Sequence, residues 1–88
     1  MTTRDSLEQF INKCEETLEV ARQEYTDGSR QGYYFDDEYS QAQQLLEDRF
    51  NELMAMYHSA NAVQRERLDR MRLQIQQLQN QMIIINRP

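Results

Sequence analysis

The chain has 88 residues, 10 Lys and Arg against 15 Asp and Glu, and a net charge of −5. That is one small acidic helical domain at most, residues 1–88, with 39% apolar residues for a core. Two Gly and one Pro are too few to turn the many short strands of an all-β fold.

The first stretch places apolar side chains at Leu7, Phe10, Cys14, Leu18, Ala21 and Tyr25, with Ile11 beside them. Steps of three and four residues put them on one stripe of a helix, predicted over about 5–26. Asp5, three residues before Glu8, is the expected N-cap. Asp27-Gly28-Ser29-Arg30-Gln31-Gly32 then reads as a helix stop and loop. Tyr33, Tyr34 and Phe35 follow it, and Asp36-Asp37-Glu38 suits the positive end of a new helix.

The second stripe runs Tyr39, Ala42, Leu46, Phe50, Leu53, Tyr57 and Ala60, broadened by Leu45, Met54 and Met56. A face that wide packs against two neighbours. The third stripe, Leu68, Met71, Ile75, Leu78, Met82 and Ile85, keeps the alternating steps of a coiled-coil heptad. Projected backwards it meets Gln64 and Asn61, both polar, and Asn61 with Gln64 has the spacing of a cap. The expected fold is therefore all-α, an antiparallel three-helix bundle with helices near 5–26, 37–58 and 62–85. No Gly or Pro lies between 58 and 64, so the alternative is a two-helix hairpin with one long, kinked second helix. Leu18, Leu46, Phe50, Leu53, Ile75 and Leu78 are the expected core.

Charge is uneven. Residues 1–61 carry 5 basic and 13 acidic side chains, net −8, and residues 62–88 carry 5 and 2, net +3. An acidic first helix beside a basic third is the arrangement this favours, although each exposed pair is worth only about 0–1 kcal/mol.

His58-Ser59-Ala60-Asn61, the run Met71-Arg72-Leu73-Gln74-Ile75-Gln76-Gln77-Leu78-Gln79-Asn80 and Glu38-Tyr39-Ser40-Gln41-Ala42-Gln43-Gln44 together resemble the YtzC-like family of short proteins from Bacillus-type bacteria. The resemblance spans the chain but includes no chemically specific motif. It implies a small, helical, cytosolic bacterial protein and supplies no functional residues.

Candidate sites are few. Residues 27–38 have the length of a calcium-binding EF-hand loop, with Asp27, Ser29, Gln31 and Glu38 at ligand positions and Gly32 at the turn. Only the first and last of these are ionised, and Phe35 offers no side-chain oxygen where calcium needs six to eight oxygen ligands. A weak metal-binding regulatory hairpin is thus the alternative function, and useful calcium affinity is not expected. Arg65, Arg67, Arg70 and Arg72 could follow phosphates, but Glu66 and Asp69 are interleaved and the chain is acidic, so no nucleic acid is expected. His58 and Cys14 have no third group to make a catalytic or metal set. No cofactor, no small-molecule substrate and no enzymatic activity are expected.

No run approaches the ~20 apolar residues of a membrane helix, and Met1-Thr2-Thr3-Arg4 leads into no signal-peptide core. No membrane partner and a cytoplasmic location follow as expectations. What remains is a non-enzymatic protein–protein interaction module. Its candidate partner-binding residues are the aromatic cluster Tyr33, Tyr34 and Phe35 and the C-terminal group Met82, Ile83, Ile84 and Ile85, which would dock a protein partner or a second copy in a weak homodimer.

Overall fold

A computed structural model describes residues 2–31 and 37–84. Three helices, α1 (Arg4–Gln31), α2 (Asp37–Ser59) and α3 (Ala62–Ile84), pack against one another in pairs, with no strand among the described residues. They form a rod of 43 × 19 × 15 Å, whose length matches the 28-residue α1 rising about 1.5 Å per residue.

The direction of each helix follows from its end contacts. The Thr2 amide donates to the Ser59 carbonyl (3.3 Å), and Gln64 Nε2 donates to the Thr2 carbonyl (3.1 Å). At the other end of the rod the Tyr39 hydroxyl donates to the Met82 carbonyl (2.8 Å). The start of α1 thus lies at the α2–α3 turn, and the start of α2 lies at the end of α3. The order is up-down-up, with α1 parallel to α3.

The break between α2 and α3 is real, and a capping box makes it. The Gln64 amide donates to Asn61 Oδ1 (2.9 Å), and the Asn61 amide donates to Gln64 Oε1 (3.0 Å). Two amide donors that the helix start leaves unpaired are thereby satisfied reciprocally. The single long second helix is excluded.

Two boundaries differ from expectation. The cap of α1 is Thr3, not Asp5: the Ser6 amide donates to Thr3 Oγ1 (3.0 Å), and Asp5 lies inside the first turn. At the other end α1 does not stop at Asp27 but continues to Gln31. Gly28 is buried within this last turn. A helical Gly costs only about 1 kcal/mol relative to Ala, so it does not enforce a stop where the helix is packed.

The core contains Leu7, Phe10, Ile11, Cys14, Leu18 and Ala21 from α1, Tyr39, Ala42, Leu46 and Leu53 from α2, and Leu68, Met71, Ile75, Leu78 and Met82 from α3, with Ala60 from the turn. Five of the six expected core residues are buried. Phe50 is only partly so, and Met54 is exposed. The inward positions of α2 are Tyr39, Ala42, Leu46, Arg49 and Leu53, stepping three, four, three and four residues. This is a heptad seam, and its fourth position holds an arginine.

Candidate functional site

The arginines of α3 are engaged within the chain. Arg65 donates to the Tyr57 carbonyl (3.0 Å) and the His58 carbonyl (3.4 Å) and lies over the Tyr57 ring at 5.0 Å. It thereby serves the carbonyl end of α2, where a cation is favoured. Arg67 pairs with Glu8 across the α1–α3 boundary, one NH2–Oε2 contact being 3.4 Å. That hydrogen bond holds the Glu8 carboxyl below its ordinary value and raises Arg67. Arg70 bonds Glu66 (2.8 Å), and Arg72 pairs with Asp69 (3.4 Å). The acidic first helix and basic third helix do lie side by side, linked by the Arg67–Glu8 pair.

Cys14 and His58 are not brought together. Cys14 is wholly buried, and burial pushes its thiol up to about 11, against a smaller opposing pull from Arg49. It faces the level of Arg49 and Glu52, since its neighbour Lys13 pairs with Glu52 (3.6 Å). His58 is exposed in the last turn of α2, about 9 Å of helix rise beyond Glu52 and about 14 Å beyond Arg49.

Asp27 and Gln31 bound a stretch of α1 that is helical, so the chain does not leave the helix at Asp27 as an EF-hand loop would require. Among the described residues no group of three or more His, Cys, Asp and Glu side chains could hold a metal ion.

Arg49 is the buried polar residue that the apolar stripe did not reveal. Its NH1 reaches Glu52 Oε2, while its Nε is buried and, among the described residues, without a partner. The signal was present: three residues on from Leu46, the heptad step lands on Arg49 and not on Phe50.

The candidate docking residues divide. Met82 is fully buried and belongs to the core, so it is withdrawn from the docking set. Its backbone carbonyl accepts from Tyr39, which fixes the register of α2 against α3 there. Ile83 and Ile84 are 51% and 64% exposed. Leu73, not singled out from sequence, is 58% exposed. Tyr33, Tyr34, Phe35 and Ile85 lie outside the described residues. From Leu73 to Ile84 the chain has no ionisable side chain, and Gln74, Gln77, Asn80 and Gln81 are exposed between the apolar residues. The site with the clearest chemistry is therefore the run of amide and aliphatic side chains on the outer side of α3, bordered by Glu15, Glu19 and Arg22 beside Gln74 and by Glu47 beside Ile83. Among the described residues no helix is long and apolar enough to cross a membrane.

Comparison with known proteins agrees in extent along the chain. Residues 1–84 match the model of a family described as protein of unknown function (DUF2524). The chain is 44% identical over 84 residues to the uncharacterised protein YtzC of Bacillus subtilis (strain 168), covering 96% of this chain and 93% of that one. No solved structure matches it. With a family model spanning nearly every residue and a relative of this similarity, the chain belongs to the DUF2524 family.

Proposed function

We propose that the protein is a non-enzymatic interaction module of the cytoplasm that docks a helix, from another protein or from a second copy, on the outer C-terminal face of α3. One observation carries this reading: Ile83 and Ile84 stand exposed on a surface that also presents Leu73 and has no ionisable group from Leu73 to Ile84. Isolated exposed aliphatics are ordinary on a protein surface, but several clustered among uncharged residues mark an interaction site. The charged side chains elsewhere on α3 are already engaged by their own chain.

The test compares wild type with Ile84→Glu as bait in an extract of the cells that make the protein. A protein retained by wild type and lost by the variant, whose melting curve stays that of wild type, is the expected outcome. Identical retention by both baits, or a variant that unfolds because Ile84 is structural, would remove the reading.

A further inference from the structure

Between α2 and α3 only Ala60 and Asn61 lie outside helix, and no Gly or Pro occurs from His58 to Gln64. The carbonyls that end α2 are taken by donors from elsewhere. Met56 accepts from the hydroxyls of Ser59 (3.2 Å) and Thr2 (3.4 Å), Tyr57 and His58 accept from Arg65, and Ser59 accepts from the Thr2 amide. A continuous helix would satisfy the same carbonyls with the amides of residues 60–63, each four residues on. The turn and the straight helix are thus alternative solutions for one set of groups. Within a single copy the turn holds, because only a turn brings α3 back onto its own α1 and α2.

The two buried seams are in phase across the break. Tyr39, Ala42, Leu46, Arg49 and Leu53 of α2 are each followed, 29 residues on, by Leu68, Met71, Ile75, Leu78 and Met82 of α3. At about 100° per residue that interval is about 20° more than eight whole turns. On one straight helix all of these positions fall within an arc of about 100°, and Tyr57, Ala60 and Gln64 fall in the same arc between them. An unbroken helix over 37–84 would therefore carry a single stripe along its length. Two such helices fit antiparallel about a two-fold axis normal to the pair. That axis puts both α1 helices on one side of the pair, the side that a single stripe faces. The Tyr39–Met82 contact sets the register, with the axis midway between those residues, at Ala60 and Asn61.

We propose that the α2–α3 junction is an exchange hinge: in a minor, reversible state it straightens, and two copies swap α3, each filling the other's core along an unbroken 37–84 helix. Every contact between α3 and the rest of its chain is then re-formed between copies, Arg67 with Glu8 included. Exchange of an identical element is a low-cost route to a dimer, since the interface is one that the sequence already encodes and no new surface has to be complementary. Each copy carries −5, and the long-range repulsion keeps the exchanged state the minor one. The hinge is independent of any docking on the exposed face of α3.

Refolding the full chain from urea at about 1 mM, followed by gel filtration, tests it. A dimer that reverts to monomer on dilution is expected. Asn61→Ala removes a cap that only the turn uses, at both hinges of the dimer, and should tighten association roughly tenfold or more. Ala62→Pro acts oppositely. Proline suits the first residue of α3, whose amide has no helical partner to lose. Inside an unbroken helix it would remove the bond to the His58 carbonyl and clash with it, so it should weaken association roughly a hundredfold or more. The swap itself is read in a chain with Glu47→Cys and Asn80→Cys, two exposed positions on one groove between α2 and α3. An unbroken helix separates them by about 50 Å. A short bismaleimide should therefore join them within the chain in the monomer and between chains in the dimer, leaving a covalent dimer in denaturant. Wild type and Asn61→Ala that both stay monomeric, a dimer indifferent to a folded Ala62→Pro, or a dimer cross-linked only within chains would each overturn the hinge. If Ala62→Pro unfolds, Asn61→Ala and the cross-link decide.

Discussion

Arg49 occupies a core position of α2 with its charge only partly answered. Its NH1 reaches Glu52, which is itself partly exposed and shared with Lys13, and its Nε is buried without a partner among the described residues. Desolvating a guanidinium costs several kcal/mol, and an incomplete set of hydrogen bonds does not repay it. Arg49→Met keeps an unbranched side chain as far as the Nε position and removes the orphaned donor, while Glu52 keeps Lys13. We expect thermal melts to show Arg49→Met as stable as wild type or more so. A loss beyond about 2 kcal/mol would mean that the guanidinium is better satisfied than its contacts indicate. The same heptad logic explains why Phe50 is only partly buried: it lies one residue, about 100°, round the helix from the position Arg49 holds.

The α2–α3 turn owes its sharpness to side chains, without Gly or Pro. Asn61 and Gln64 each satisfy the other's amide, and Gln64 also reaches the Thr2 carbonyl. The turn thereby ties the start of α1 to the same end of the rod. Asn61→Ala should cost about 1 kcal/mol, read as a lower midpoint in urea with the slope unchanged. No change in the midpoint would mean that water replaces the cap at no loss. Helix α1 shows the converse. Its apparent stop signal, Gly28, is passed by a further turn, because a buried helical residue is held by packing more than by propensity.

Across the whole molecule, three helices share one core, and stability rests on filling it. Leu78 is buried in α3, so Leu78→Ala should lower stability by about 2–5 kcal/mol, most of what a domain of this size has. An unchanged melting curve would refute the packing of α3 described here. The Arg67–Glu8 pair adds a pH dependence. Because its partner lowers the folded-state value of Glu8 below the ordinary 4.5, the unfolded chain takes up the proton first. The contribution is complete above that ordinary value and is lost as pH falls through the lowered one. Wild type should therefore lose stability more steeply with acidification below about pH 4.5 than Glu8→Gln does. Parallel slopes for the two proteins would show that the pair is not coupled to folding.

What the amino-acid order determined by itself is whatever depends on spacing along the chain. Three amphipathic helices, the core seam of α3 from Leu68 to Met82 and the Asn61–Gln64 cap are all local periodicities, legible because a helix repeats every 3.6 residues whatever surrounds it. Only the tertiary structure decided which of several adjacent candidates faces inward. Arg49 in place of Phe50 and α1 running on to Gln31 each turn on a rotation of about 100° or one more helical turn. Neighbouring helices set that choice. The exposure of Leu73 was hidden for the same reason, since it is a surface residue only once α1 and α2 have taken the opposite side of its helix.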